Sequence, residues 1–94
     1  MKLGLFFDIR NPEPWARPWP DVYARTLEVI ADAEALGADA VWFTEHHLFD
    51  DGYLTQPLVM LAAVAARTRR IGLGTAVLLA ALRPAASITR GWGR

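Results

Sequence analysis

Ninety-four residues, 53% of them hydrophobic, with ten basic groups against ten acidic ones, set the frame for at most one globular domain. Zero formal net charge and the lack of a basic stripe argue against a nucleic-acid partner, and the longest apolar runs, 58–66 and 75–82, fall short of the roughly 20 residues that a membrane-spanning helix needs. With no cysteine there can be no disulfide and no thiolate metal site, and a strand directly after Met1 in place of a secretory leader makes a cytoplasmic location the default expectation.

In chain order, 2–8 (KLGLFFD) reads as a first strand, because a nearly continuous apolar run suits burial on both faces of a parallel sheet. Residues 9–20 (IRNPEPWARPWP) hold four of the six prolines and two tryptophans, so they form an irregular loop. Two readings of that loop stay open: a functional segment, or a surface strap whose Trp15 and Trp19 pack down on the rim of the fold. A helix starts near Pro20, which loses nothing in a first turn, with Asp21 at the positive end of the dipole. Tyr23, Leu27, Ile30 and Ala33 recur at helical spacing as its buried stripe. Arg25, Glu28, Asp32 and Glu34 form a solvated face, and Gly37 ends the helix.

Ala40, Val41, Trp42 and Phe43 are too few for a helix and favour a short buried strand. A loop over 48–56 follows, with a turn at Asp50, Asp51 and Gly52. Pro57 opens a second helix, capped by Thr55 or Gln56, with Leu58, Leu61, Ala62 and Ala65 on its inner face. Arg67, Arg69 and Arg70 at its C-terminal end are explained by the helix dipole without any anion. Residues 71–79 (IGLGTAVLL) form a third strand, whose glycines point to a bulge or to close approach of another group.

The ionisable groups concentrate where the second strand stops, at Glu45, His46 and His47. In parallel α/β folds ligands bind beyond the carboxyl ends of strands, so this trio is the candidate site. Histidine, with an unperturbed pKa of about 6.5, can exchange protons near neutrality. The competing reading is a histidine that only hydrogen-bonds a loop carbonyl. Zinc is a poor alternative, because adjacent residues of an extended chain point to opposite sides and three in a row can hardly meet one ion.

Strand, helix, strand, helix, strand at spacings of about 30 to 40 residues implies a parallel sheet, shared by doubly wound folds and (β/α)₈ barrels. The proline-rich first βα turn carries no G-x-G-x-x-G, so the nucleotide fingerprint of the doubly wound class is missing. The inner face of the sheet is built from Leu5, Phe7, Val41 and Phe43 or from their alternating neighbours.

The segments KLGLFFD, LGADAVWFTEHH, DGYLTQP, AARTRRIGLGTAVLL and LRPA together resemble the bacterial luciferase-like, flavin-dependent monooxygenases, over about residues 2–85. That resemblance implies an α/β chain forming the N-terminal β-α-β-α-β portion of a (β/α)₈ TIM barrel, incomplete in itself. It implies reduced FMN supplied by a flavin reductase, with a deazaflavin as the alternative, and insertion of one oxygen atom from O2 into a small-molecule substrate through a flavin C4a-peroxide. An oligomer is implied for the full-length form. His46 corresponds to the family's active-site histidine, a general acid/base beside the flavin, with Glu45 shaping the pocket and orienting it. His47 matches the second histidine of the motif, whose part in catalysis the resemblance does not define. Thr75, Ala76 and Val77 correspond to strand-three residues that pack on the isoalloxazine ring, where the family has a non-prolyl cis peptide.

After Ala85 the resemblance stops, and residues 86–94 (ASITRGWGR) show no apolar periodicity. The expectation is a luciferase-like portion over 1–85 and a divergent tail over 86–94, from truncation or a frame shift. A barrel of about 250 residues cannot be completed by this length, so the chain alone is expected to be inactive. The alternative from another class is a non-catalytic α/β fragment that acts only by association through its open sheet edges.

Overall fold

The computed structural model describes residues 2–47, 54 and 56–76. Among these, five elements follow one another: β1 Gly4–Phe7, α1 Trp19–Ala35, β2 Ala40–Phe43, α2 Pro57–Arg67 and β3 Gly72–Thr75. The strands are parallel and lie in the order β1-β2-β3, with Gly4 opposite Ala40 and Ala40 opposite Gly72. The third strand is shorter than the expected span 71–79, and 77–79 lie outside the described residues. Three groups on Asp39 align the strand starts. Its carboxylate accepts from the Leu3 N–H at 2.8 Å, its N–H donates to the Leu3 carbonyl at 2.8 Å, and its own carbonyl accepts from Gly72 N–H at 2.9 Å.

Helix α1 has Pro20 in its first turn and Asp21 beside it, as the sequence predicts. It ends at Gly37, whose φ of 103° is open to glycine at little cost. The Ala38 N–H reaches the Ala33 carbonyl and Gly37 N–H the Glu34 carbonyl, the paired bonds that close a helix through a left-handed residue. The buried stripe differs from the apolar reading. Val22, Thr26 and Ile30 are the buried residues, while Tyr23, Leu27 and Ala33 pack at the margin. Thr26 qualifies for the interior because its hydroxyl donates to the Val22 carbonyl at 2.8 Å and is thereby satisfied.

Helix α2 has Gln56 at its N-cap position without a side-chain cap bond, and buries Pro57, Met60, Leu61 and Val64. Of the expected inner face only Leu61 is fully buried, and Ala62 is exposed. The ten residues from Pro57 to Ala66 are all apolar, so the sequence offers no contrast from which to orient the helix.

Both helices cover the same face of the sheet. Phe43, Ile30, Ile71, Val41 and Val64 are essentially without solvent contact, and the Phe7 and Phe43 rings stack with centroids 5.7 Å apart. Leu5 and Phe7 pack against this cluster. Of the two alternating sets, Leu5, Phe7, Val41 and Phe43 therefore meet the helices, and their neighbours Gly4, Phe6, Trp42 and Gly74 form the other face. On that face Phe6 is 60% exposed and Trp42 43%.

Of the two third-strand glycines expected to mark a bulge or close approach, Gly74 permits it under Trp42, and Gly4 on β1 also adjoins that ring. A Cβ on Gly74 would lie 2.4 Å from two carbons of the Trp42 six-membered ring, and one on Gly4 would lie 3.6 Å from the indole nitrogen. The indole thus spans the sheet from β1 to β3, lying over positions where the neighbouring strands carry no side chain.

Glu34, assigned to the expected solvated face, ties two distant segments together. Its carboxylate accepts the backbone N–H groups of Arg69, Arg70 and Ile71 at 2.8 to 3.1 Å. Arg70 answers by donating to the Glu34 and Ala38 carbonyls at 2.7 and 3.1 Å. This arginine therefore caps the C-terminal end of α1, not that of α2 as the dipole argument supposed. The Arg70 amide, helped by the Ile71 and Arg69 amides and the Arg70 charge, holds the Glu34 carboxyl below its usual pKa against an opposing desolvation. A carboxyl depressed in the folded state stabilises above its unfolded pKa of about 4.3 and loses that contribution as pH falls through the folded value. Denaturant midpoints of the wild type should therefore drop more steeply below about pH 4 than those of Glu34→Gln. Parallel pH profiles for the two chains would remove this role from Glu34.

Candidate functional site

The carboxyl ends of β1, β2 and β3 lie side by side, and the polar groups gather there. Past β1, Asp8 accepts the Thr44 hydroxyl at 2.8 Å, while Thr44 N–H donates to the Phe7 carbonyl at 3.2 Å. Past β2, the Ala76 N–H donates to the Phe43 carbonyl at 2.9 Å, which carries the ladder on and sets Thr75 and Ala76 beside Thr44. Leu54, buried at 3% exposure, is clamped across the same end: it donates its N–H to the Asp8 carbonyl and accepts the His46 N–H at 2.9 Å. Ile9, next to Asp8, is held at φ 50° and is buried. For a β-branched residue that conformation costs about 1–2 kcal/mol, so the surrounding contacts must hold it there.

The structure thus places five of the six residues singled out, Glu45, His46, His47, Thr75 and Ala76, at one end of the sheet. Val77, and with it the Ala76–Val77 peptide, lies outside the described residues. Glu45 is buried although it is a carboxylic acid, and its Oε2 lies 2.6 Å from Nε2 of His47. The sequence reading gave Glu45 the task of orienting His46; in the structure its carboxylate takes His47 as a hydrogen-bond partner. That pairing was legible in principle, since residues two apart on an extended chain share a side. Asp8 and Thr44 were not singled out, because neither carries a motif and only the strand pairing brings them together. Among the described residues no group of three or more histidine or acidic side chains converges as a metal site would.

The proline-rich loop does not behave as a strap. Its span is fastened internally, with the Asn11 side chain bonded to both the N–H and the carbonyl of Arg17 at 2.9 and 2.6 Å. Trp15 stands 78% exposed and does not pack on the rim, whereas Trp19 opens α1 and lies against Tyr23 with ring centroids 5.8 Å apart.

Thr75 and Ala76, with small side chains, lie at the end of β3, at the same end of the sheet as the acid and histidines that follow β2, while Gly74 before them is covered by the Trp42 ring. A parallel β-α-β-α-β unit with both helices on one face of the sheet is the arrangement of a portion of a (β/α)₈ barrel. The sequence profile of the luciferase-like monooxygenases matches residues 1–90, and the chain belongs to that flavin-dependent family. The alkanal monooxygenase alpha chain of Photorhabdus laumondii is 30% identical over 79 residues, which are 84% of this chain and 21% of that protein. An F420-dependent glucose-6-phosphate dehydrogenase of Kineococcus radiotolerans is 45% identical over 64 residues, 63% of this chain and 18% of the relative. In three dimensions the chain is similar to the oxygenating constituent of 3,6-diketocamphane monooxygenase from Pseudomonas putida, a Type II Baeyer-Villiger monooxygenase solved with FMN. The TM-score is 0.81 at 20% identity, over 97% of this chain and 25% of that one. The chain accordingly spans about a fifth of the length of the curated relatives it matches.

No helix among the described residues is long and apolar enough to cross a membrane.

Proposed function

We propose that this sequence supplies the first three strands of the active site in an FMN-dependent monooxygenase, in which one atom of O2 enters an organic substrate and the other leaves as water. Bound reduced flavin supplies the electrons, delivered by a separate reductase. The protein's own part is to seat the ring against the Thr75-Ala76-Val77 segment, to hold His46 as the proton donor and acceptor, and to keep water out. The observation that carries this reading is the convergence at one end of the sheet of Glu45, His46, Thr75 and Ala76 in a chain of this family. A deazaflavin is the second reading, favoured by the similarity to the F420-dependent dehydrogenase.

The 94-residue chain by itself is expected to be silent. Oxygenation by reduced flavin needs an enclosed, dry site, whereas the sheet face that bears Phe6 and Trp42 is open. The test supplies FMN, a flavin reductase, NADH and long-chain aldehydes to the chain alone and to the chain fused to the remaining strands of an alkanal monooxygenase alpha chain. Product above the reductase control is expected only from the fusion. Turnover by the isolated chain would overturn its inactivity, and a fusion that works only with reduced deazaflavin would replace FMN as the cofactor.

A further inference from the structure

We infer that Glu45 is a positioning residue for His47, and that the two form a proton-accepting pair in which His47 presents Nδ1 as its base. This deepens the monooxygenase reading and, in its catalytic part, rests on it. The Glu45 side chain has no solvent contact, while that of His47 is 31% exposed. A buried carboxylate is costly unless a donor satisfies it, and the His47 imidazole, its Nε2 2.6 Å from the Glu45 carboxylate, is such a donor. With the proton on Nε2 and directed at Glu45, the ring's lone pair is fixed on Nδ1, so the carboxylate sets the tautomer as well as the ring's orientation. Glu45 itself is tied into the fold through the Thr44 N–H and hydroxyl on one side and the His46 N–H on the other, both bonded to neighbouring backbone or to Asp8.

The pair has a defined chemistry. Nδ1 takes a proton from a hydroxyl group of substrate or water, the O–H electron pair remains on oxygen, and the resulting imidazolium is neutralised by the Glu45 carboxylate beneath it. His46, between the two in sequence, is held by its N–H on the Leu54 carbonyl at 2.9 Å. The acid of the motif then serves its second histidine.

Heteronuclear NMR of the imidazole nitrogens in the 94-residue chain, at about pH 8 where an ordinary histidine is neutral, reads the tautomer directly. The Nε2–H form of His47 is expected to exceed the Nδ1–H form by roughly tenfold or more, with the Nε2 proton protected from exchange. Glu45→Ala should abolish that protection and relax the ratio toward that of a free imidazole, and an unchanged amide spectrum for β1, β2 and β3 would show that the variant folds. A dominant Nδ1–H form in the wild type, which places the shared proton on Glu45, overturns the inference even if the variant does not fold. In the fusion enzyme, Glu45→Ala and His47→Ala should lower kcat by similar factors, with no further loss in the double variant. Fully multiplicative losses would separate the two residues. Because the NMR arm needs no flavin, a protected Nε2–H in a fusion without activity would retire the monooxygenase reading and keep the pair.

Discussion

His46→Ala, introduced into a fusion that completes the barrel, should lower the rate of oxygenation by about 10²–10⁴-fold while FMN affinity changes little, the usual worth of a positioned acid or base. The reason for the split lies in where the two tasks are housed. The ring is to be held by small residues at the end of β3, and His46 is fixed from the end of β2, its N–H on the Leu54 carbonyl at 2.9 Å. Removing the imidazole leaves that backbone bond and the β3 surface intact, so binding has little to lose. Stopped-flow oxidation of the reduced enzyme gives the rate and flavin fluorescence titration gives the affinity. Equal losses in both, or in neither, would make His46 a structural residue.

The second large effect is on stability. Phe43→Ala should cost about 3–5 kcal/mol, because it deletes a ring with no solvent contact and leaves a cavity between β2, Phe7 and the helices. Against a total of roughly 5–15 kcal/mol for a domain, such a loss brings the fold near its limit. Leu36→Ala provides the contrast. Leu36 is 89% exposed at the end of α1, so its truncation should stay within about 0.5 kcal/mol. Urea unfolding followed by far-ultraviolet circular dichroism measures both. A Phe43→Ala midpoint close to that of Leu36→Ala would mean that the two helices do not close on this face of the sheet.

How far the sequence could be read follows from the range over which each interaction acts. Strand β2 was legible as Ala40–Phe43, and so were the Pro20 and Pro57 helix starts and the Gly37 stop, because turn chemistry and short apolar runs act locally. Helix faces were read less well. A buried Thr26 satisfied by its own helix counts as polar in any pattern, and α2 has apolar residues on every side through its first ten positions. The Glu34 clasp joins residues 35 to 37 apart in sequence, and nothing near Glu34 announces it. Resemblance singled out Glu45, His46, Thr75 and Ala76, and the strand register accounts for their lying at one end of the sheet. The Asp8–Thr44 bond emerged only when β1 and β2 were set side by side, whereas the Glu45–His47 pairing follows from a spacing of two on an extended chain.

The indole of Trp42 also changes how substitutions here should be counted. The ring fills the space over Gly74 that a β3 side chain would otherwise take, and the absence of a Cβ at Gly74 is its complement. Size at position 42 and size at position 74 are therefore a single variable: a side chain can be added to β3 at this level only if the ring on β2 shrinks. For anyone reshaping the cavity of such a barrel, the two positions form an exchange. Moving bulk from the central strand to its neighbour would shift the floor of the cavity sideways without enlarging it.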